Sequence, residues 1–276
     1  MRLRSLLFVP GDRPERFAKA AASGADAVIL DLEDSVSAAN KAVAREAVAA
    51  WLFEPRTITA FVRINPLDSG MAQADVDAVL SAGPDGILLP KAEGADSIEH
   101  LMTMMPCQAV PILPIACETA AAVFTVGTYR AVSGHLAGLT WGAEDLPAAI
   151  GAATSREADG RYTDPYRMVR SLTLFGAHAA GVVAIETVFP NIKDLDALAA
   201  YAARGRRDGF TGMMAIHPAQ VPIINTAFAP SEADIAHARA VVAAFEANPG
   251  AGALQLDGKM IDAPHLKQAM AVLAGM

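Results

Sequence analysis

Eight short apolar runs, each of strand length, alternate along the chain with longer Ala-rich stretches of helical pattern. They are Ser5–Val9, Ala27–Leu32, Ala60–Ile64, Gly86–Leu89, Val110–Ile115, Leu136–Trp141, Val182–Glu186 and Gly212–Ile216. Each is followed by Gly, Pro or charged residues before the next helical stretch. This rhythm predicts parallel strands joined by helical crossovers, covered on both faces. Eight such units predict an α/β fold, a (β/α)8 TIM barrel. The 276 residues agree with the ~250 typical of one such barrel. The 53% apolar share with only 6% aromatics suits buried strands under Ala-rich helices.

Local signals sharpen the ends. Asp12 stands as an N-cap with Glu15 three residues on, Phe17, Ala20 and Ala21 share a face, and Gly24 can end that first helix. After the eighth run comes Pro-rich sequence, a helical stretch from about Ser231 to Ala247, and the breaker Asn248-Pro249-Gly250-Ala251-Gly252. The expected organisation is a catalytic barrel over residues 1–230. Residues 231–276 form a C-terminal helical arm, expected to pack on a neighbouring subunit.

A formal net charge of -8 and the absence of any Lys/Arg-rich run argue against nucleic acid as a partner. The first 19 residues are the exception, with Arg2, Arg4, Arg13, Arg16 and Lys19 against Asp12 and Glu15, a setting for a small anionic ligand. Cys107 and Cys117 are too few for a disulfide framework and read as small core hydrophobes in a reducing compartment. Leu6-Leu7-Phe8-Val9 is too short for a signal-peptide core, and no apolar run reaches the ~18 residues of a membrane span. The expected setting is cytoplasmic, with no membrane partner.

In barrels of this kind the active site is built just past the C-terminal ends of the strands. Those positions hold Asp31-Leu32-Glu33-Asp34, Arg63 and Asn65, Pro90-Lys91, Glu118-Thr119, Glu144-Asp145 and His217-Pro218. Any one acid could simply cap the following helix. Together, carboxylates aimed at one mouth repel each other unless a cation neutralises them, and only Arg63 and Lys91 are evident on the protein side. Hard oxygen donors without a His/Cys cluster favour magnesium, held by Glu118 and Asp145 with water and substrate completing the shell. His217 could be a ligand or a base, but a histidine bonding a neighbouring loop is the commoner case, so it stays outside the metal set.

With these residues in view, the chain resembles the citrate lyase beta-subunit and malyl-CoA lyase family from Arg4 to the C-terminal arm. The resemblance rests on Arg4-Ser5-Leu6-Leu7-Phe8-Val9-Pro10-Gly11, on Asp31-Leu32-Glu33-Asp34-Ser35-Val36 with Lys41 and Ala44-Arg45, and on Val62-Arg63-Ile64-Asn65. Pro90-Lys91, Glu118-Thr119, Gly142-Ala143-Glu144-Asp145-Leu146 and Gly209-Phe210-Thr211-Gly212 follow in the family's order. The resemblance implies magnesium on Glu118 and Asp145, substrate contact by Arg63, and a coenzyme A chain held by the segment from Phe8 to Lys19. It also implies that Asp262, in Gly258-Lys259-Met260-Ile261-Asp262, completes a neighbour's site in a trimer or a dimer of trimers. Two positions depart from the pattern. Met213 stands where many relatives carry Lys, and Glu186 where Asp is more usual.

The implied reaction is magnesium-dependent carbon-carbon cleavage of a 3-hydroxyacyl-CoA thioester of malyl, citramalyl or citryl type, giving acetyl-CoA and a 2-oxo acid. Phe8, Arg16, Lys19, Arg63, Lys91 and Glu118 contact the substrate or its carrier, and Arg2 and Arg4 are expected to join Arg16 and Lys19 at the carrier's phosphates. Arg63 stabilises the enolate, Asp262 is the acid, protonated in an apolar setting, and Glu33 and Asp34 hold water or orient Arg63 and Lys91. Three alternatives stand beside this: a thioesterase on the same substrates, a citrate lyase beta subunit served by an acyl-carrier protein, and an aldolase of free hydroxy acids. The candidate acyl groups differ by a methyl or carboxymethyl group, worth about 1 to 3 kcal/mol in an apolar pocket.

Overall fold

The structure, a computed structural model, describes residues 1–105 and 110–274. The reading of Cys107 lies outside the described residues; Cys117 is buried and reduced, its thiol pushed up to about 11 by burial. Two compact units are present, Met1–Phe228 and Ala229–Met276.

The first unit carries seven parallel strands: β1 (Ser5–Pro10), β2 (Ala27–Asp31), β3 (Thr59–Arg63), β4 (Gly86–Leu89), β5 (Ile112–Pro114), β6 (Ile185–Glu186) and β7 (Gly212–Ala215). Their order is β5-β4-β3-β2-β1-β7-β6. The ring closes through the sixth apolar run. Parallel bridges join Ile112 to Leu136, Ile115 to Thr140, and Leu139 to Ala184, so this run stands between β5 and β6. The bonds are sound, with Ala116 N–H donating to Thr140 O at 2.7 Å and Ile185 N–H to Leu139 O at 2.8 Å. All eight apolar runs therefore take barrel positions, as the TIM-barrel expectation requires.

Alternation along the strands separates two cores. Leu6, Ile29, Phe61, Leu88, Leu113 and Met214 fill the barrel interior. Their sequence neighbours Leu7, Val28, Val62, Ile87 and Ile112 pack against helix residues such as Val48, Leu52, Val76 and Leu101. Both faces are buried, which is why the runs read as continuously apolar.

One local expectation fails at the first helix. Asp12 does not cap it; its Oδ2 accepts the Asn40 amide at 2.7 Å, and a 3-10 turn over Pro14–Arg16 leads into a short helix, Phe17–Ala21. Pro14 starts the turn without needing a cap, because its nitrogen has no proton to satisfy. Phe17 and Ala20 are buried as the pattern requires, and Phe17 meets Trp51 edge to face at 5.8 Å.

The second unit is more than a helical arm. Ser231 caps the helix Glu232–Glu246, its Oγ accepting the Asp234 N–H at 3.1 Å while Asp234 Oδ2 accepts the Ser231 N–H at 3.0 Å. A hairpin follows, β8 (Ala253–Leu256) antiparallel to β9 (Lys259–Asp262). Asp257 and Gly258 turn it with φ of 50 and 78, the left-handed pair that two-residue hairpins demand. The last helix, Ala263–Ala274, shares a small core of Ala238, Val241, Ile261 and Ala269. No helix among the described residues is long and apolar enough to cross a membrane.

Candidate active site

The mouth of the barrel is organised around one arginine. Asp31 and Arg63 end adjacent strands in direct register, so both side chains turn to the same face. Arg63 Nε and Nη2 donate to the two Asp31 oxygens, each at 2.7 Å. Burial alone would push Asp31 up, but this fork, a hydrogen bond from the Ser35 side chain and the Glu33 N–H hold it below the usual carboxylate range. Arg63 Nη1 lies 2.8 Å from Glu33 Oε2, and the guanidinium stands over the Phe8 ring at 4.9 Å. Burial opposes the charge on Arg63, yet Asp31, Glu33 and Asp34 raise its pKa, so the guanidinium is permanently cationic.

Lys91 links this clamp to a second carboxylate group. Its Nζ donates to Glu33 Oε1 at 2.8 Å and lies 3.2 Å from Asp145 Oδ2, while its backbone N–H donates to Glu118 Oε2 at 2.7 Å. To make all three contacts Lys91 adopts φ 50, the left-handed region that residues with a Cβ seldom enter. Glu118 is buried and hydrogen-bonded by Asp145; desolvation first, then that neighbour, push it up to about 8. Asp145 moves the other way despite its own desolvation, since Glu118 donates to it and Lys91 and Arg63 lie near. Burial likewise raises Glu33, against the pull of Arg63 and Lys91. Gly142 makes this packing possible: a Cβ there would meet Glu118 Cγ and Oε1, each at 3.0 Å.

Helix capping does not explain these acids. Asp145 precedes the helix Leu146–Ile150, but its side chain makes no capping bond. A cleft of about 290 Å³ opens among them, lined by Asp31, Asp34, Arg63, Glu118 and Asp145 among others. Among the described residues, Arg63 and Lys91 are the bases that reach the carboxylates of Asp31, Glu33, Asp34 and Asp145 directly, while Lys41 adds positive charge behind Asp31, Glu33 and Asp34. No group of three or more His, Cys, Asp or Glu is arranged as a metal cage among the described residues. Two hard carboxylates beside open space, one retaining a proton through burial and its carboxylate neighbour, are nevertheless what a magnesium ion that keeps water and substrate ligands would take.

Behind the clamp runs a second buried network. Lys41 Nζ donates to Leu32 O, Glu33 O and Asn65 Oδ1 at 2.7, 2.8 and 2.7 Å, fixing the acidic turn after β2. Asp75 takes the Asn65 amide and backbone N–H at 2.6 and 2.7 Å, and Arg45 Nε at 2.6 Å. Lys41, Arg45 and Asn65 stood out in the sequence. Asp75 and the full role of Asp31 did not, and the available signal for Asp75 was an acid on the inward stripe of a helix among Ala72, Val76 and Val79.

Other sequence candidates separate by position. Phe8 and Asp34 line the cleft, Asp34 at the rim with its side chain 61% exposed and 4.0 Å from Arg63. Arg16 and Lys19 are exposed just beyond the C-terminal end of β1. Arg2 and Arg4 are at the opposite end, before β1, and Arg4 is committed to Asp26 through Nε and Nη2 at 2.9 and 2.7 Å. They cannot join Arg16 and Lys19 at one phosphate group. His217 caps its own turn, with Nδ1 accepting the Ala219 N–H at 3.1 Å. Met213 is fully buried in the outer core, away from the cleft. Glu186 also points outward, taking Trp141 Nε1 at 2.7 Å and Arg170 Nε at 2.6 Å. Asp262 ends β9 in the second unit with His265 Nδ1 at 2.6 Å, a polar partner rather than the apolar setting expected of it.

A closed parallel barrel with its polar groups gathered on strand C-terminal ends defines a TIM-barrel enzyme, and the comparisons give its class as aldolase and lyase. Residues 4–218 match the HpcH/HpaI aldolase/citrate lyase family. A citrate lyase subunit beta-like protein of Mycobacterium tuberculosis is 40% identical over 274 residues, 97% of this chain and 93% of that protein. A (3S)-malyl-CoA thioesterase of Cereibacter sphaeroides is 34% identical over 98% of this chain and 93% of its own length. The crystal structure of Mycobacterium tuberculosis CitE in complex with magnesium, acetoacetate and coenzyme A superposes with a TM-score of 0.84 at 37% identity, covering 99% of this chain and 98% of that one. The chain belongs to the HpcH/HpaI aldolase/citrate lyase family.

Proposed function

We propose that the chain is a magnesium-dependent lyase that cleaves a 3-hydroxyacyl-CoA thioester into acetyl-CoA and a 2-oxo acid. The observation that carries this reading is the Glu118 and Asp145 pair set beside an Asp31-clamped Arg63 at one cleft. Glu118 and Asp145 would hold magnesium, which would supply Lewis-acid polarisation of the substrate's oxygens. The solved relative in complex with magnesium, acetoacetate and coenzyme A supports magnesium and a coenzyme A thioester as ligands of such a barrel.

The chain's own groups do the rest. Two Arg63 N–H groups go to Asp31 and Nη1 faces Glu33, so the remaining protons of the fork are available to the thioester oxygen as it becomes an enolate. Asp31 and Glu33 act as positioning residues, fixing the guanidinium before substrate arrives. Asp34 at the rim takes the hydroxyl proton, the carbon-carbon bond breaks with its electrons passing to the enolate, and Asp262 of another copy of the chain, paired with His265 at 2.6 Å, relays a proton from solvent to carbon. Phe8, Arg16 and Lys19 hold the coenzyme A chain, and Lys91 bridges Glu33 and Asp145 and offsets their repulsion. The second unit then serves assembly, in a trimer or hexamer.

A panel of malyl-, citramalyl- and citryl-CoA, with and without magnesium, tests this, with phenylhydrazine trapping any 2-oxo acid. Magnesium-dependent release of a 2-oxo acid with acetyl-CoA supports the lyase. Release of the free hydroxy diacid supports the thioesterase, which the Cereibacter relative favours. No cleavage of any free thioester by the folded chain refutes both and moves the acyl-carrier reading ahead.

A further inference from the structure

The cleft walls differ sharply in chemistry. One side is the acidic group around Glu118 and Asp145. The other is mostly apolar, built from Phe8, Ile115, Val188, Met214 and Ile216, with the neutral Thr187 hydroxyl beside Val188. Ile115 and Met214 belong to the packed barrel interior, so this wall is the upper surface of a rigid core. Among the described residues that line the cleft, Arg63 is the one basic side chain. It is already forked onto Asp31 and set against Glu33. Lys91 is divided between Glu33 and Asp145. Arg156 turns back on its own loop, donating to Gly160 O at 3.0 Å and Tyr162 OH at 2.8 Å and lying 4.0 Å from the Tyr162 ring centroid.

We infer that the acid half released here carries a single carboxylate and a short apolar substituent, as pyruvate does, and that the apolar wall of Ile115, Met214 and Ile216 excludes a second carboxylate such as that of oxaloacetate. This rests on the lyase reading and narrows its substrate to the citramalyl type, with the malyl type second. A substrate's single carboxylate is matched by the cation at Glu118 and Asp145. A second one would face either the mostly apolar wall or a row of carboxylates, since the spare Arg63 protons are taken by the thioester oxygen, and an unpaired charge in such a place is rejected more strongly than a missing methyl group. The methyl of pyruvate instead covers apolar surface, a gain of roughly tenfold over glyoxylate.

Calorimetric titration of pyruvate, glyoxylate and oxaloacetate into the full chain, with magnesium and coenzyme A present, tests the inference separately from turnover. Pyruvate is expected to bind about tenfold tighter than glyoxylate and about 100-fold tighter than oxaloacetate. Ile216→Lys, at a rim position 40% exposed, puts a cation on the wall and should reduce the preference for pyruvate over oxaloacetate at least about tenfold. Met214→Lys repeats the test deeper in the cleft if it folds. Oxaloacetate binding as tightly as pyruvate, or a preference unmoved by Ile216→Lys, overturns the inference. Preferential pyruvate binding without thioester cleavage keeps the selectivity of the wall for a 2-oxo acid with one carboxylate and removes the release of that acid by a lyase; no binding of any 2-oxo acid by the folded chain overturns both.

Discussion

Two buried arginines in this barrel have nearly the same surroundings and opposite openings. Arg63 pairs with Asp31 and stands 4.9 Å from the Phe8 ring centroid; Arg170 pairs with Glu186 at 2.6 Å and Asp208 at 2.8 Å and stands 4.7 Å from that of Phe210. Their side chains are 12% and 8% exposed. The difference lies in strand phase and charge. Arg63 and Asp31 project into the mouth, where further carboxylates outnumber the bases. Glu186 projects to the helix layer, where Trp141 and the Thr187 N–H fill its other oxygen. A buried ion pair alone is therefore no sign of a site. A cleft and an unmatched surplus of one charge are what set Arg63 apart.

The largest effects should separate the two. Arg63→Ala is expected to lower kcat/KM by about 10²–10³-fold, as for removal of an oxyanion donor. Arg170→Ala should instead strand Glu186 in the core and cost about 3–5 kcal/mol of unfolding free energy. Urea titration and steady-state kinetics on both variants check this, and an Arg170→Ala enzyme that is stable but inactive would break the comparison.

A smaller effect concerns the proton on Glu118. Its pKa of about 8 exceeds the usual value of 4.5, so the metal-free folded chain holds a proton that the unfolded chain releases. Stability from this group is fully present below about pH 4.5 and is lost as pH rises towards 8. Magnesium must displace that proton, so its apparent affinity should rise by up to about tenfold per pH unit until pH 8 and then level off. Thermal melts across pH with and without magnesium read both trends; a magnesium effect flat from pH 6 to 8 contradicts them.

Lys91→Gly should act on the mouth without harming the fold. The backbone φ of 50 suits glycine, and the N–H to Glu118 survives. We expect stability within about 1 kcal/mol of wild type, since relief of the left-handed backbone offsets the lost ion pair, together with lower activity. The smallest expected effect is at the exposed rim. The double variant Arg16→Ala, Lys19→Ala should raise KM for the thioester a few-fold, with the difference shrinking in high salt as screened charges require. A salt-independent change would remove these residues from carrier binding.

Much of the barrel was legible because strands buried on both faces carry continuous apolar runs, and the strand ends carried Glu33, Arg63, Lys91, Glu118 and Asp145. The same continuity hid the phase of each strand. Nothing in Val182–Glu186 says that Glu186 faces outward, nor in Gly212–Ile216 that Met213 does. The pairing of Asp31 with Arg63 depends on register between strands 32 residues apart, and Asp75 joins through a helix. Arg2 and Arg4 are close to Arg16 in sequence, but β1 carries them to the other end of the barrel. The β8–β9 hairpin did leave a signal, the Asp257-Gly258 pair between alternating residues, within what reads as a helical arm.

The central claim is that the surplus carboxylates at the mouth are matched by one divalent cation. Manganese titration followed by electron paramagnetic resonance tests it directly on wild type, Glu118→Gln, Asp145→Asn and Arg170→Ala. About one magnesium-displaceable manganese site per chain is expected in wild type and in Arg170→Ala, and its loss in the two mouth variants. Equal manganese binding by Glu118→Gln and wild type would contradict it.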